Sequence, residues 1–408
     1  MIALSMLFMI GLYFSRAILS IATALLIANA ILSPNFLDNF KRFIKIKPAV
    51  ALTLLFFVTV VSGLYSENME TWLGRVRIKI PYLLLPLAFC GMPKLKERQY
   101  QGLIYCFFLI SVIACMYVGS NYLLNFDQVT ESYKAGGAMT TPIIYVRFSL
   151  FTAFGVVCGV YLWLKKYVFR QQWERILIAI GTLFLFVFLH ILAVRTGIFA
   201  LYNAALLSVF YYIFHKRKYW LGLTLPVMMA GLLFSAYQFV PSLHNKINYM
   251  RWDLKQYFEG NRENMASDYM RLISIENGIR LAKENSWLLG VGAGDLRVEM
   301  DKIYEAEYPN IYKKLLPHNQ YIFVLASTGL IGLAVFMFST FYPIFYERNY
   351  RYLFFVCFNV VTFSSFLAET TIELQIGGSF YMLFVLLSLN YLNGEEQVTF
   401  DRDRDRLE

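Results

Sequence analysis

Cationic side chains and a histidine lie near one another in a single long polar segment. Residues 241–317 interrupt a sequence that is otherwise almost continuously apolar; they contain Arg251 and Arg271, and His318 follows directly. Guanidinium groups bind phosphate oxygens in pairs, and an imidazole can accept a proton at neutral pH. Because apolar spans are normally joined by short loops, this segment predicts chemistry on an anionic substrate at a membrane surface.

Further arginines border or interrupt the apolar runs. Arg147 lies just inside one run, Arg195 separates two others, and Arg75 and Arg77 begin another. Charges within a membrane are costly and usually face a pathway or a site. We therefore predict that these four arginines bind substrate, together with Arg251 of the long polar segment. Snorkelling toward lipid headgroups is the alternative, and it suffices for Lys79 and serves for Arg75.

His318 is the candidate general base. It lies between Pro317 and Asn319 at the start of an apolar run. Neighbouring arginines lower the pKa of an imidazole, which favours the neutral, proton-accepting form. The alternative is a cap or an interfacial polar group. Asn319 is a further substrate-binding candidate.

Glu369 and Glu373 bracket a short turn between the last two apolar runs. We predict that Glu369 contributes to substrate binding, either by orienting a hydroxyl group or by pairing with an arginine. A solvated turn is the alternative for both carboxylates.

The segments predicted to lie on the periplasmic side contain no acidic residues with the spacing of a metal site. The D-x-D pattern Asp401-Arg402-Asp403 lies in the carboxyl-terminal tail, and Asp295, Glu299 and Asp301 are spread along the chain as expected for solvated surface. Magnesium and manganese need carboxylates that converge on one point. We therefore predict neither a metal nor another cofactor.

The amino-acid composition indicates that this chain is embedded in a lipid bilayer. Of its residues 58% are hydrophobic and only 16% are charged, so most of its apolar surface must face a bilayer. The net charge of +10 comes largely from short basic clusters between apolar runs, a pattern typical of topology signals and not of a nucleic-acid-binding face. An all-α polytopic membrane protein without a nucleic-acid partner is predicted.

Twelve apolar runs are candidate transmembrane helices. They cover residues 2–14, 16–33, 48–65, 76–92, 100–119, 143–164, 175–194, 197–214, 219–240, 319–345, 352–368 and 376–392. With twelve spans the main basic clusters, such as residues 41–47 and 216–218, fall on one side, which is cytoplasmic by the positive-inside rule. Residues 1–240 thus form nine spans, 241–317 a periplasmic loop, 318–394 three spans and 395–408 a disordered cytoplasmic tail, with both termini cytoplasmic.

Within the loop, residues 245–259 and 267–284 have the periodicity of amphipathic helices that could lie across the bundle as a partial lid. The sequence GVGAGD at 290–295 then predicts a turn with positive φ. It does not fit G-x-G-x-x-G and no βαβ pattern surrounds it.

Several of these segments resemble the O-antigen ligase/polymerase superfamily. They are HNQYIFVLASTGLIGL at 318–333, RLISIENGIRLAKENSWLLG at 271–290, WLLGVGAGD at 287–295, LAVRTGIFAL at 192–201 and VSGLYSENMETWLGRVRIKIPYLLLPL at 61–87. The resemblance covers most of the chain, and its specificity rests on residues 268–332. One position departs from the family, since Ser327 stands where a glutamate is usual.

This resemblance implies a membrane-embedded glycosyltransferase in the bacterial inner membrane. Its donor would be an undecaprenyl-diphosphate-linked glycan, and its acceptor would be a hydroxyl group on the periplasmic side. In a ligase, the molecule that carries this hydroxyl would be the glycolipid lipid A–core. By its motifs, Arg195 and Arg271 would bind the diphosphate and His318 would activate the acceptor.

Other functions stay open at this stage. A polymerase or a protein O-oligosaccharyltransferase would use the same chemistry on another acceptor. A transporter or flippase of lipid-linked anions would show related halves and broken helices at mid-membrane, whereas here the polar residues gather at one face.

Overall fold

The computed structural model describes residues 1–216, 221–260, 267–309 and 314–404. Arg217 and Lys218 of the predicted basic cluster, and the terminal Leu407 and Glu408, lie outside the described residues.

The described part of the chain is helical and contains no β-strand. Three short 3₁₀ segments, Ser62–Leu64, Tyr346–Arg351 and Thr371–Glu373, join some of its helices. The α-helices are, in chain order, α1 Ile2–Phe14, α2 Arg16–Ile31, α3 Phe36–Lys45, α4 Lys47–Val61, α5 Met69–Cys90, α6 Glu97–Leu124, α7 Phe126–Lys134, α8 Tyr145–Leu164, α9 Glu174–Leu192, α10 Arg195–Lys216, α11 Leu221–Phe239, α12 Pro241–Phe258, α13 Ser267–Glu284, α14 Leu296–Glu307, α15 Gln320–Phe345, α16 Leu353–Phe366 and α17 Gln375–Arg404.

Each of the twelve predicted apolar runs coincides with a helix. Among the described residues, seven helices are long and apolar enough to cross a membrane, or up to nine if two sharply bent helix pairs each form one span. The chain is thus an all-α polytopic membrane protein. The number twelve stays a prediction, because α1 and α16 are short and α5 carries charges near its start.

In the described residues between α11 and α15 there are three helices. Helices α12 and α13 cover the two ranges predicted to be helical, 245–259 and 267–284, whereas α14 was not predicted. Helix α12 turns by 96° from the end of α11 and contacts α7, α9 and α13, and α13 packs against α15. These contacts hold α12 and α13 beside the helix ends that carry the candidate residues.

The predicted glycine turn is confirmed, and it pairs with α15. Gly290 and Gly292 have φ angles of +70° and +97°. The amides of Val291 and Gly292 donate to the carbonyls of Ala326 and Ser327, both at 2.9 Å. The turn thereby satisfies carbonyls that a helix break leaves open.

That break lies at Gly329, whose backbone (φ 65°, ψ −167°) is not helical. Beyond it, the amides of Leu330 and Ile331 donate to the carbonyls of Trp287 and Leu288 at 2.9 and 3.2 Å. A Cβ added at Gly329 would lie 2.2 Å from the backbone of Leu288. Close backbone approach therefore requires glycine here.

The last helix is longer than expected. Helix α17 continues to Arg404, so the segment 395–408, for which we predicted a disordered tail, has a helical backbone through that residue.

Candidate functional site

A cavity of about 400 Å³ lies where the first turns of α8 and α10 meet α12, α13 and the residues just before α15. Arg195, Arg271 and His318 all line it. Arg195 is the first residue of α10, directly after a turn in which Ala193 has a φ of 52°. Three residues that are far apart in the sequence, and that were predicted to act together, thus share one wall.

Asp268 joins the two arginines. Its Oδ1 lies 2.7 Å from Nη2 of Arg195 and 3.4 Å from Nη1 of Arg271. Its Oδ2 is buried and has no hydrogen-bond partner. Asp268 was not predicted as a site residue, although its spacing of three residues from Arg271 on a predicted helix was a usable signal. A shared carboxylate fixes both guanidinium groups beside the cavity.

His318 is held through its backbone and its ring. Its amide donates to Oγ of Ser274 at 3.1 Å, and that hydroxyl donates to the carbonyl of Arg271 at 2.7 Å. Nδ1 lies 3.5 Å from Oε1 of Glu369, too far for a strong hydrogen bond. These contacts fix His318 relative to α13 and leave Nε2 as the ring nitrogen that can face a substrate.

Glu369 lies near both His318 and Arg271. Pairing with an arginine is one of the two roles considered for it, and its part in substrate binding stays a prediction. Its Oε1 is 3.6 Å from Nη2 of Arg271. Burial alone would raise the pKa of Glu369, but His318, Arg271 and Arg147 lower it below its ordinary value. Glu369 therefore remains an anion next to the cavity.

Arg147 is buried next to this group and does not line the cavity. Its Nε has no hydrogen-bond partner, and its charge contributes to the lowered pKa of Glu369. A substrate-binding role for Arg147 stays a prediction.

Lys246 is a second cavity residue that was not predicted from the sequence. It lies on α12 and is buried, and its Nζ donates to the carbonyls of Gly136 and Gly137 at 2.6 and 3.2 Å. Burial, together with Arg195 and Arg271, lowers its pKa to about 8. In the sequence it is one lysine among several in an amphipathic pattern, so nothing distinguished it.

Three predicted substrate-binding arginines lie away from this cavity. Arg77 and Arg251 are exposed, and the guanidinium of Arg251 lies 5.7 Å from the ring centre of Tyr237. The guanidinium of Arg75 lies 5.3 Å from the ring centre of Phe323. The geometry gives Arg75 and Arg251 stacking partners and does not bring either of them to His318.

Arg75 lines a different, small cavity of about 30 Å³ together with Lys79, Ser327 and Glu373. The interfacial snorkelling expected of Lys79 is wrong, because its Nζ is buried at 2.9 Å from Oε1 of Glu373. A solvated turn is likewise wrong for Glu373, which is also buried. Ser327 therefore lies in this group and not among the residues around His318.

Asn319 has a structural position next to His318. Its Oδ1 accepts the amides of Tyr321 and Ile322 at 2.9 and 3.1 Å, and its Nδ2 donates to the carbonyl of Leu367 at 3.2 Å. It therefore caps α15 and ties it to the turn that carries Glu369.

Within the described ranges, no group of three or more histidine, cysteine or acidic side chains is arranged to hold a metal ion. Asp295, expected on the solvated surface, is instead buried and accepts the amides of Glu67 and Asn68 at 2.8 and 2.7 Å. It connects the glycine turn to the segment before α5.

Residues 180–337 match a family model described as O-antigen ligase. The matched segment contains Arg195, Lys246, Asp268, Arg271 and His318, so it includes most of the charged cavity wall. No curated protein matches the chain. This match confirms the resemblance to the O-antigen ligase superfamily over residues 180–337.

Proposed function

We propose that this chain, which carries an O-antigen ligase domain at residues 180–337, transfers a glycan from undecaprenyl diphosphate to an acceptor hydroxyl. The observation that carries the proposal is the position of Arg195, Arg271 and His318 on the wall of one cavity. Two guanidinium groups can hold a diphosphate while an imidazole a short distance away accepts a proton.

The charges around the cavity suit a diphosphate leaving group. Three cations, Arg195, Arg271 and Lys246, line the cavity, whereas the acids that contact the two arginines are Asp268 and Glu369. The excess of positive charge offsets charge that develops on the phosphate oxygens as the glycosidic bond breaks. Permanent arginine charge can do this without a metal ion, so we propose a metal-independent reaction.

His318 would act on the acceptor. Its imidazole takes the proton of the attacking hydroxyl while the new bond forms between that oxygen and the anomeric carbon. The bond between the anomeric carbon and the phosphate oxygen breaks, and undecaprenyl diphosphate leaves. Glu369, 3.5 Å from Nδ1, orients the ring and stabilises the imidazolium that forms.

The site would lie on the periplasmic side of the bacterial inner membrane, with both termini in the cytoplasm. The basic clusters at residues 41–47, 94–98 and 165–175 support this orientation, because the positive-inside rule assigns such clusters to the cytoplasm. The helices α12 to α14 would then cover the outer ends of the bundle.

We propose lipid A–core as the acceptor, which makes the reaction the ligation step of lipopolysaccharide assembly. The experiment is reconstitution of the purified protein in liposomes with undecaprenyl-diphosphate glycan. Lipid A–core, a second molecule of the donor and a serine-containing peptide compete as acceptors, and His318→Ala is the control.

Glycosylated lipid A–core as the main product supports the ligase. A lengthened donor glycan would indicate a polymerase, and a glycopeptide a protein O-oligosaccharyltransferase. Movement of the donor across the liposome membrane without any transfer product would overturn the enzymatic proposal in favour of a flippase.

A further inference from the structure

Lys246 lines the same cavity as Arg195, Arg271 and His318. It belongs to α12, and through its ammonium group this helix contacts the segment between α7 and α8. The ammonium group donates hydrogen bonds to two backbone carbonyls, those of Gly136 and Gly137. Among the described residues it forms no ion pair within 4 Å. A buried cation that has only neutral partners can gain from an anionic ligand.

The carbonyls do not depend on Lys246 to stay in place. Gly136 has a φ of +80°, and a Cβ added there would lie 2.7 Å from the ring of Tyr249. The segment is therefore packed against α12 by ring-to-backbone contact as well. Gly137 is fixed further by its amide, which donates to the carbonyl of Ser132 at 2.8 Å. The ammonium can change partners while this wall of the cavity keeps its shape.

We propose that Lys246 is a third cationic ligand of the lipid diphosphate, and that its ammonium exchanges the carbonyls of Gly136 and Gly137 for a phosphate oxygen when the donor binds. This inference rests on the proposed function, since it presupposes a diphosphate at Arg195 and Arg271. Unlike guanidinium, an ammonium group on a buried lysine can lose its proton near neutral pH. Donor affinity should therefore depend on pH in a way that the two arginines cannot cause.

The direction follows from the lowered pKa of Lys246, about 8. At pH 7 most of the ammonium is protonated and at pH 9 only about one tenth is, so donor affinity should fall about tenfold over this interval. Other ionisable groups surround it on α7, α8, α10, α12, α13 and before α15: Tyr133, Tyr145, Arg195, Tyr249, Asp253, Asp268, Arg271 and His318. The arginines keep their charge, and burial raises the pKa of Tyr133 and of Tyr249.

All binding measurements use a His318→Ala background, so that titration of the His318 imidazole does not contribute to the pH dependence. We would measure the Kd of a fluorescent undecaprenyl diphosphate analogue for the full-length protein between pH 6.5 and 9.5. Lys246→Arg keeps a permanent charge at the position, and Lys246→Met removes it. Lys255 lies on the same helix, is exposed and is 3.7 Å from Glu259, so Lys255→Arg and Lys255→Met are matched controls.

We expect Kd to rise about tenfold from pH 7 to pH 9 with lysine at position 246 and to stay level in Lys246→Arg. Lys246→Met should bind roughly ten- to hundredfold more weakly at pH 7, with no further loss at pH 9. Both Lys255 variants should reproduce the rise of the parent. Thermal unfolding of each variant separates loss of a ligand from loss of folded protein.

Superimposable pH profiles for the parent and Lys246→Arg would overturn the role of Lys246. The protein with His318 intact is assayed for glycan transfer in parallel. Transfer together with superimposable profiles rejects Lys246 alone, whereas absence of transfer rejects the proposed function.

Discussion

Glu369 and Glu373 lie four residues apart on the turn between α16 and α17, yet they form two very different groups. Glu373 accepts hydrogen bonds from Nζ of Lys79 at 2.9 Å and from Nε2 of Gln320 at 2.8 Å. Gln320 in turn accepts the amide of Ile372 at 3.1 Å. All of these polar groups are buried and have partners at ordinary hydrogen-bond distances.

The group around Glu369 is looser. Its contacts with His318 and Arg271 are 3.5 and 3.6 Å, and three nearby atoms are buried without a hydrogen-bond partner: Nδ1 of His318, Oδ2 of Asp268 and Nε of Arg147. Buried polar atoms in folded proteins are nearly always paired, and catalytic hydrogen bonds often tighten only when substrate binds.

The difference is the one expected between a structural group and a group that binds a ligand. The ion pair of Lys79 and Glu373 locks the turn to α5 and α15, whereas the residues around Glu369 and Asp268 retain capacity for a ligand. The variants below test that distinction.

The largest expected effect concerns the loose group. Replacing His318 with alanine removes the proposed general base and should slow glycan transfer roughly 10²–10⁴-fold. Donor binding should change little, because the proposed ligands of the diphosphate are other residues. Transfer assays and donor Kd are measured on the same purified sample, and a wild-type transfer rate would reject His318 as the base.

The second effect concerns the tight group. Glu373→Gln leaves Lys79 buried without a counter-charge, which should lower the free energy of unfolding by about 3–5 kcal/mol. Glu369→Gln should reduce transfer and lower stability less, since its partners are partly exposed and more distant. Thermal unfolding and transfer rate of both variants test this; equal losses of stability would mean that the two groups do not differ.

Acid pH should weaken the ion pair between Lys79 and Glu373. Burial opposes ionisation of Glu373, but Lys79 and Arg75 lower its pKa below the ordinary value of 4.5. A carboxyl group with a depressed pKa in the folded state stabilises the protein above its unfolded pKa and stops doing so as the pH falls through the folded pKa. The difference in unfolding temperature between wild type and Glu373→Gln should therefore shrink below pH 4.5.

A smaller effect is expected from arginine-to-lysine exchange. One ammonium cannot reproduce a bidentate guanidinium contact, so Arg195→Lys and Arg271→Lys should each reduce transfer roughly ten- to hundredfold. Arg75→Lys is the control, since Arg75 lines the small cavity with Glu373. Full activity of both cavity variants would make these arginines structural.

The apolar runs of the sequence predicted most of the helices. Each apolar run became a helix, because in a bilayer the backbone must satisfy its own hydrogen bonds. The break of α15 at Gly329 was not predicted, since a single glycine within an apolar run gives no signal for a partner segment far upstream in the sequence. The pairing with Trp287 and Leu288 depends on tertiary contact.

The site was predicted in part, and the misses share one cause. Arg195, Arg271 and His318 could be selected by residue type and motif, and all three line the cavity. Lys246 could not be selected, because it resembles an ordinary polar residue of an amphipathic helix. Asp268 offered one signal, its spacing of three residues from Arg271, which alone is also common on solvated helix faces. Which face of α12 and α13 meets the bundle is decided by packing, and sequence spacing alone did not specify it.

The last prediction is that removing divalent metal ions leaves glycan transfer unchanged. A divalent metal would need carboxylates free to converge on the diphosphate, but Asp268 and Glu369, the acids in contact with the arginines of the cavity, already face those cations. Transfer should therefore survive exhaustive EDTA treatment, measured against an untreated sample of the same liposomes. If chelation stops transfer and magnesium or manganese restores it, these carboxylates must leave the arginines to bind the ion. Glu369 would then be a ligand, and the functional difference between it and Glu373 would have another origin than the one proposed above.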